Sequence, residues 1–423
     1  MDNNSDKLLR LTQEANRCVA CGLCLPHCPT YRKTQTEADS PRGRIALMKG
    51  VLENKIPLNT RFVQHIDTCL TCRACESACP SSVEYGRIVD GVRPLIEQQR
   101  QHSGWKKTLH SLVFRQVIGS PVRMRLLGRM LRFYQQSGLQ RAVRWSSVLK
   151  GLKLSALEAE LPELPPVQNW REVYAATGVE RGKVGLFLGC VARLSDTETL
   201  NSTIFVLNRL GYTVYIPKQQ GCCGALPQHV GHLEEAAQLA SVNKQAFEGL
   251  ALEAIISTAS GCGALLGEYH KLLDVPEPVL SARVMDIGEF MAQATGWDAV
   301  QLQPLAAKIV VQDPCTLRNV QHTAAFPYAV LSRIPQAIIE PLAGNALCCG
   351  AAGLYHIQQP EMAGVLRDDK INALQQSGAQ YLATSNVGCA MWLAQGLREQ
   401  GMKIEVIHPV TLVARQMGFT GKC

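Results

Sequence analysis

The sequence predicts an α+β and α/β multidomain protein: an N-terminal α-helical module, a helical connector, and a duplicated α/β domain with Cys-Cys-Gly in each half. One cysteine pattern occurs twice within the first 97 residues, and a different one occurs twice after residue 183. The second pattern lies among alternating extended and helical segments, which is typical of parallel sheets covered by helices. We expect boundaries at 1–97, 98–182, 183–300 and 301–423.

Eight of the 17 cysteines form the N-terminal repeat. Its first copy is Cys18-x2-Cys21-x2-Cys24-x3-Cys28-Pro, and the second copy lies 51 residues further on, at Cys69, Cys72, Cys75 and Cys79. This is the bacterial ferredoxin pattern, in which three thiolates hold one [4Fe–4S] cluster and the fourth cysteine is a ligand of the other cluster. The pattern predicts two [4Fe–4S] clusters, with Cys18, Cys21, Cys24 and Cys79 for the first and Cys69, Cys72, Cys75 and Cys28 for the second. Structural zinc is the alternative, but zinc sites favour paired Cys-x2-Cys without a third cysteine at the same interval.

The remainder of the N-terminal module should be mainly helical. The segment between Cys28 and Cys69 is too long for a compact two-cluster ferredoxin, and residues 44–54 have a helical pattern. The segment Ser40-Pro41-Arg42-Gly43-Arg44 precedes that helix. Its arginines either neutralise cluster charge or merely begin the helix.

The connector is strongly basic. The whole chain has a net charge of +8, yet residues 98–157 contain twelve Lys and Arg and neither Asp nor Glu. Helical periodicity over residues 122–134 predicts one apolar face and an opposite face with Arg125, Arg129 and Arg132; the apolar face has Leu126, Leu127, Met130, Leu131 and Tyr134. Such a helix packs on protein or lies on an anionic membrane surface. Nucleic acid is not an expected partner, because no recognisable nucleic-acid-binding motif accompanies the basic residues.

The composition of the chain indicates where in the cell the protein is located. No run of 18 apolar residues is present, and the N-terminal sequence MDNNSDKLLR has no apolar signal core. Many cysteines without an export signal are typical of a reducing compartment. We expect a cytoplasmic protein, with peripheral contact to the inner face of the cell membrane as an option.

The second repeat supplies four thiols to each half. Cys190, Cys222, Cys223 and Cys262 recur as Cys315, Cys348, Cys349 and Cys389, at offsets of 125 to 127 residues. Predicted strands precede these cysteines at 184–188, 212–216 and 254–257, and again at 309–311, 337–339 and 381–384. The cysteines should therefore lie at the carboxyl ends of strands, where open α/β sheets bind ligands. Each set suits a further cluster, a zinc ion or a redox-active site, and inert buried cysteines are the alternative.

Taken together, these motifs resemble the iron–sulfur subunit of bacterial glycolate oxidase. Phe187-Leu-Gly-Cys190 and Pro314-Cys315-Thr-Leu are among the segments that carry the resemblance. Related proteins are the iron–sulfur subunits of anaerobic glycerol-3-phosphate dehydrogenase and of lactate-utilisation systems, and the heterodisulfide reductase B subunit. The last has a fifth cysteine in each half, where this chain has Leu265 and Trp392. This departure argues against non-cubane clusters and disulfide reduction.

The resemblance implies an electron-transfer subunit. Flavoprotein (FAD) partner subunits would oxidise glycolate or a similar 2-hydroxy acid, and the two clusters would relay the electrons toward membrane quinone. The chain alone would have no catalytic residues for the hydroxy acid, and no G-x-G-x-x-G follows a predicted strand. The alternatives are a glycerol-3-phosphate or lactate dehydrogenase iron–sulfur subunit, a heterodisulfide-reductase-like thiol/disulfide enzyme, and a zinc scaffold.

Overall fold

A computed structural model describes residues 3–100, 117–146, 158, 161–275 and 280–421. Several of the basic residues predicted in the connector, and the C-terminal Cys423, lie outside these ranges; the basic residues are Lys106, Lys107, Arg115, Lys150 and Lys153. None of the helices in the described residues combines the length and the apolarity needed to cross a bilayer.

The N-terminal module is helical, as predicted. Its helices are α1 (Asn3–Asn16), α2 (Pro29–Thr34), α3 (Pro41–Leu52), α4 (Thr60–Asp67), α5 (Ala74–Ser77) and α6 (Tyr85–Gln99). Helix α3 begins where Ser40 Oγ accepts a hydrogen bond from the Gly43 amide at 3.0 Å, with Pro41 in the first turn. Apolar residues of these helices form one core, which includes Met48, Phe62, Ile66, Ile88 and Val92.

The connector contains α7 (Pro121–Gln136) and α8 (Leu139–Trp145). The packed side of α7 is formed by Met124 and Gly128, and a Cβ built on Gly128 would lie 2.8 Å from Leu194. Helix α7 therefore packs closely on the first cysteine-rich half at Gly128, which has no side chain.

The first half is a five-stranded sheet with the order β1-β3-β2-β4-β5. Its strands are β1 (Val173–Tyr174), β2 (Gly182–Phe187), β3 (Tyr212–Tyr215), β4 (Ala254–Ser257) and β5 (Val284–Asp286). All neighbours are parallel except β1 and β3. The helices are α9 (Ala192–Ser195), α10 (Thr197–Arg209), α11 (Ala225–His229), α12 (Leu233–Phe247), α13 (Ser260–Gly267), α14 (Tyr269–Leu272) and α15 (Ile287–Gln293). Strand β1 lies before residue 183, so the sheet extends into the segment that the sequence assigned to the connector.

The second half repeats this plan with a four-stranded parallel sheet of order β7-β6-β8-β9. The strands are β6 (Lys308–Gln312), β7 (Ile338–Pro341), β8 (Tyr381–Thr384) and β9 (Glu405–Ile407). The helices are α16 (Phe326–Leu331), α17 (Tyr355–Gln358), α18 (Pro360–Ser377), α19 (Val387–Glu399) and α20 (Pro409–Gln416), and residues Leu317–Gln321 form a π-helical turn. The predicted duplication of an α/β domain is confirmed.

The two halves share one apolar core. It contains Val184 and Leu200 of the first half together with Ile309 and Val413 of the second. Helix α20 packs on α10, and His408 Nε2 lies 3.0 Å from the Thr258 carbonyl of the first half. The cysteine-rich halves therefore form one body, on which the N-terminal module and the connector rest.

Candidate iron–sulfur sites

The two ferredoxin-type loops have the same backbone conformation. Ala20 and Gly22 in the first loop have φ of 55° and 86°, and Thr71 and Arg73, 51 residues later, have φ of 50° and 58°. Left-handed conformations cost energy for residues other than glycine and are concentrated at functional sites. The loop geometry is therefore repeated along with the cysteines.

The first loop lines a cavity whose empty space, including its part open to solvent, is about 420 Å³. Its cysteines are Cys18, Cys21, Cys24, Cys75 and Cys79. Cys79 reaches this cavity from the second loop, as the ferredoxin pattern requires. Burial raises the pKa of Cys24 to about 11, which describes a free thiol without a metal. Cys21 is exposed, so this cavity opens at the surface.

The second loop lines a neighbouring cavity of about 310 Å³, whose cysteines are Cys28, Cys69, Cys72 and Cys75. Cys28 belongs to the first loop, so each cavity is lined by cysteines of both loops. Pro41, Cys75 and Tyr85 line both cavities, and Tyr85 donates to Cys69 Sγ at 3.3 Å. Four thiols in a mainly apolar pocket are the donor set of a [4Fe–4S] cluster, so these residues fit the group that the pattern predicts.

Arg44 is buried at the second cavity, with 1% of its surface exposed. Its guanidinium donates to the His65 carbonyl at 2.7 Å, to Thr68 Oγ1 at 2.9 Å and to Thr30 Oγ1 at 3.1 Å, and it lies 3.8 Å from Cys28 Sγ. Burial alone would lower the pKa of Arg44, but neighbouring Cys69, Tyr85, Cys28 and Asp39 raise it above its usual value. Arg44 therefore supplies a permanent positive charge beside the second cluster site.

Arg42 has the corresponding position at the first cavity. It lines that cavity and donates to the Ala20 carbonyl at 3.2 Å, while Glu37 accepts from its Nε at 2.7 Å. The Ser-Pro-Arg-Gly-Arg segment therefore begins α3 and also places one arginine at each cavity. The sequence offered these two roles as alternatives.

The first Cys-Cys-Gly site brings together all four predicted cysteines. Cys190 follows β2, Cys222 and Cys223 follow β3, and Cys262 lies in α13 after β4, so they meet at the carboxyl ends of parallel strands. The Sγ atoms of Cys190 and Cys222 are 3.4 Å apart. Hydrogen bonds from Cys222 and Cys262 lower the pKa of Cys223 well below its ordinary value.

The second site has the same arrangement. The Sγ atoms of Cys349 and Cys389 are 3.3 Å apart, and those of Cys315 and Cys348 are 4.0 Å apart. Burial holds the pKa of the Lys370 ammonium, 2% exposed, below its usual value, and the neighbouring Cys349 and Cys348 oppose that shift. In the first half, Arg193 is the buried cation beside Cys190. A cation at each site favours an anionic metal–thiolate group over inert core cysteines.

The glycine of each Cys-Cys-Gly has a steric role. Gly224 and Gly350 have φ of 94° and 92°, and an added Cβ would lie 3.0 Å from the Ala236 carbonyl oxygen and 2.6 Å from that of Ala363. A side chain would therefore be strained and would press on the next helix. Glycine is what allows the two adjacent thiols to turn into the site.

The positions of the missing fifth cysteines are filled. Leu265 is buried in the apolar core around the first site. Trp392 is buried at the second, where its Nε1 donates to the Cys349 carbonyl at 3.1 Å. Neither side chain offers a thiol for a fifth bond to a cluster. Among the described residues, no group of three or more Cys, His, Asp or Glu side chains is arranged for a single metal ion.

Helix α7 leaves part of its predicted apolar face exposed. Leu126, Met130 and Phe133 are 56%, 62% and 69% exposed, whereas two of the predicted polar-face arginines turn toward the protein. Arg125 donates to Asn169 Oδ1 at 3.1 Å, and Arg132 donates to the Leu164 carbonyl at 2.9 Å. Leu126 and Met130 of the predicted apolar face are therefore exposed together with Phe133, whereas Leu127 packs against the core of the first half.

The fold and these cavities define an iron–sulfur electron-transfer protein with a two-cluster module and a duplicated cysteine-rich domain. Family models agree: a 4Fe-4S dicluster domain matches residues 14–83, and a cysteine-rich domain matches residues 184–267 and 309–394. A third model, described as the linker region of the glycolate oxidase iron–sulfur subunit, matches residues 105–161. The chain carries [4Fe–4S] clusters.

Whole-chain relatives identify the family. The chain is 36% identical over 420 residues to a protein named as a probable glycolate oxidase iron–sulfur subunit in Bacillus subtilis (strain 168), covering 96% of this chain and 94% of that protein. It is 33% identical over 395 residues to the glycolate oxidase iron–sulfur subunit of Escherichia coli (strain K12), covering 90% of each. A lactate utilization protein A of Bacillus cytotoxicus is 24% identical over 53% of this chain and 96% of its own length. The chain belongs to the family of glycolate oxidase iron–sulfur subunits.

Proposed function

We propose that this chain relays electrons from the flavin of a partner flavoprotein, which oxidises glycolate or a similar 2-hydroxy acid, toward membrane quinone. Oxidation of the hydroxy acid takes place on the partner, and this chain binds and spaces the clusters. Cys18, Cys21, Cys24 and Cys79 hold the first cluster, and Cys69, Cys72, Cys75 and Cys28 hold the second. The observation that carries the proposal is the pair of adjoining cysteine-lined cavities that share Pro41, Cys75 and Tyr85, because adjoining sites allow single electrons to pass between clusters.

The surface of the first loop supports a docking partner there. Val19 and Leu23, on either side of the exposed Cys21, are 70% and 58% exposed. Exposed apolar residues beside a redox site are typical of an interaction surface. The second cavity, by contrast, lies against the second cysteine-rich half. The first cluster is therefore the one placed to exchange electrons with an external flavoprotein.

The test is anaerobic co-purification of the chain with its flavoprotein subunits, followed by addition of glycolate. We expect glycolate to reduce the clusters, as seen by bleaching of the visible absorbance and by a paramagnetic resonance signal. Cys21→Ser should slow or abolish this reduction, and Cys423→Ser, outside both repeats, should not. Equal rates for the two variants, or no flavoprotein in the purified complex, would contradict the proposal.

Helix α7 supports contact with an anionic membrane surface. Val122, Leu126, Met130 and Phe133 recur at helical intervals of three and four residues along its exposed side, and Arg129 is exposed between them. The surrounding connector has positive charges and no acidic residue over 98–157. An outward apolar stripe in a cationic segment is the pattern of a helix that lies in the headgroup region, where each cation contributes about 1 kcal/mol.

Vesicle sedimentation tests this contact. Leu126→Glu with Phe133→Glu should release the protein from vesicles that contain phosphatidylglycerol. Val179→Glu changes an apolar side chain that is 81% exposed on the first half, and it should leave binding unchanged. If the double variant still sediments with vesicles but no longer retains the flavoprotein, the stripe binds the partner subunit instead.

A further inference from the structure

The two Cys-Cys-Gly sites have different surroundings although their sequences repeat in register. Leu70 and Cys72 of the second ferredoxin-type loop belong to the same apolar core as Cys348, Cys349 and Cys389. The core around the first site joins first-half residues to residues of the connector, which include Met124, Val117 and Ile118. Within the described residues, only the second site is continuous with a cluster cavity of the N-terminal module.

Two hydrogen bonds fix this contact, and both come from segments that carry the site cysteines. Asn319, four residues after Cys315, donates from Nδ2 to the Cys72 carbonyl at 2.8 Å. Tyr355, six residues after Cys349, donates to the Thr68 carbonyl at 3.1 Å. Displacement of the Cys72 loop would therefore disturb the second site directly.

The thiols of the two sets pack against one apolar core. Cys72 of the second ferredoxin-type loop and Cys315 of the second half both contact the core that contains Cys348, Cys349 and Cys389. The cysteines of the second ferredoxin-type loop and of the second half thus form neighbouring sets in one water-excluded region.

The first half contacts the N-terminal module differently. Arg73 Nη1 donates to both carboxylate oxygens of Glu268 at 2.8 and 2.9 Å, and Lys271 Nζ lies 2.9 Å from Glu84 Oε1. Glu268 and Lys271 both follow α13, and none of the four cysteines of the first-half site takes part in these ion pairs. These ion pairs orient the module on the first half without joining the two sets of thiols.

We propose that Cys315, Cys348, Cys349 and Cys389 hold an iron–sulfur cluster that is coupled to the cluster at the Cys72 loop, and that the first-half site has no such coupling. The inference rests on the proposed assignment of Cys72 to the second cluster. A cluster bound in the second half would exchange one electron at a time, with no bond made or broken and no proton required. Asn319 is a positioning residue, because it holds the Cys72 backbone against the second half.

The duplication supplies matched variants for the test. The full chain, purified anaerobically and reduced with dithionite, is compared with Cys348→Ser/Cys349→Ser and with Cys222→Ser/Cys223→Ser. Iron and sulfide are counted, and the resonance signal that Cys72→Ser abolishes is assigned to the second cluster.

We expect the second-half variant to lose the iron of one cluster. The microwave power that half-saturates the second-cluster signal should then fall several-fold, because a nearby paramagnet has been removed. The first-half variant should leave that power unchanged.

A milder variant covers the case in which the double substitution fails to fold. Asn319→Ala removes the hydrogen bond to Cys72 and leaves every cysteine in place, so it should change the half-saturation power and the midpoint potential of the second cluster. Lys271→Ala, which breaks an ion pair between the module and the first half, should change neither. The inference is wrong if Asn319→Ala has no effect, or if the first-half cysteine variant alters the second-cluster signal as much as the second-half variant does. Dithionite replaces the flavoprotein here, so failure of glycolate to reduce the complex would contradict only the proposed function.

Discussion

Removing the charge of Arg44 should lower the midpoint potential of the second cluster. The guanidinium lies 3.8 Å from Cys28 Sγ, and a unit charge at that distance contributes about 4 kcal/mol at an effective dielectric constant of about 20. Because an added electron spreads over the whole cluster, we take half of this, about 2 kcal/mol, which corresponds to roughly 90 mV for one electron. The reduced form is the more negative one, so loss of the cation makes reduction harder.

Two substitutions separate the charge from the hydrogen bonds. Arg44→Gln and Arg44→Lys both lose the guanidinium that donates hydrogen bonds to Thr30, Thr68 and the His65 carbonyl. Both should therefore destabilise the module. Only Arg44→Gln loses the charge. In an anaerobic redox titration followed by paramagnetic resonance, Arg44→Gln should show the roughly 90 mV decrease, whereas Arg44→Lys should stay near the parent value.

A further control comes from the same segment. Arg42 lines the first cavity and is paired with Glu37, so Arg42→Gln should shift the first cluster by less and leave the second unchanged. The reasoning is refuted if Arg44→Gln and Arg44→Lys titrate at the same potential, or if Arg42→Gln moves the second cluster.

Two further outcomes are expected. Burial lowers the pKa of His408 to about 3. As the pH falls through about 6.5, the unfolded chain therefore binds a proton at His408 that the folded chain does not bind. The free energy of unfolding should decrease by roughly 1 kcal/mol between pH 7.5 and 5.5. Urea unfolding of the apo-protein should show this slope, and His408→Gln, which has no group that titrates in this range, should flatten it. Gly350→Ala should distort the second Cys-Cys-Gly turn against Ala363 and reduce the iron bound there, as measured by iron content, while the same analysis of Gly224→Ala should report on the first half alone. Retention of all iron in Gly350→Ala would contradict the steric role given to that glycine.

The sequence predicted those parts of the structure that repeat. The cysteine offsets predicted the duplicated α/β domain, and the apolar runs at 309–311 and 381–384 fall within β6 and β8. The short edge strands β1, β5 and β9 were not predicted, because two or three residues carry too little periodicity. Each is defined by pairing with a strand distant in sequence.

The position of each arginine and the orientation of α7 could not be derived from the sequence. Arg42 and Arg44 are two residues apart in α3, so their side chains point to nearly opposite sides of the helix, one toward each cavity. In α7 the apolar periodicity was correct, but the packed side is formed by Met124 and Gly128. The small Gly128 allows close approach to Leu194, a tertiary contact that periodicity does not reveal.

The exchange of Cys28 and Cys79 between the two cavities affects how the protein can be assembled. A chain that is still emerging from the ribosome has three thiols of the first cavity as soon as residue 24 is made, but Cys75 and Cys79, which also line this cavity, come only with the second loop. Neither cavity can be completed before both loops exist and have folded against each other. Insertion of the inorganic groups therefore has to follow synthesis of both loops, and a truncation between the two loops should leave both cavities incomplete.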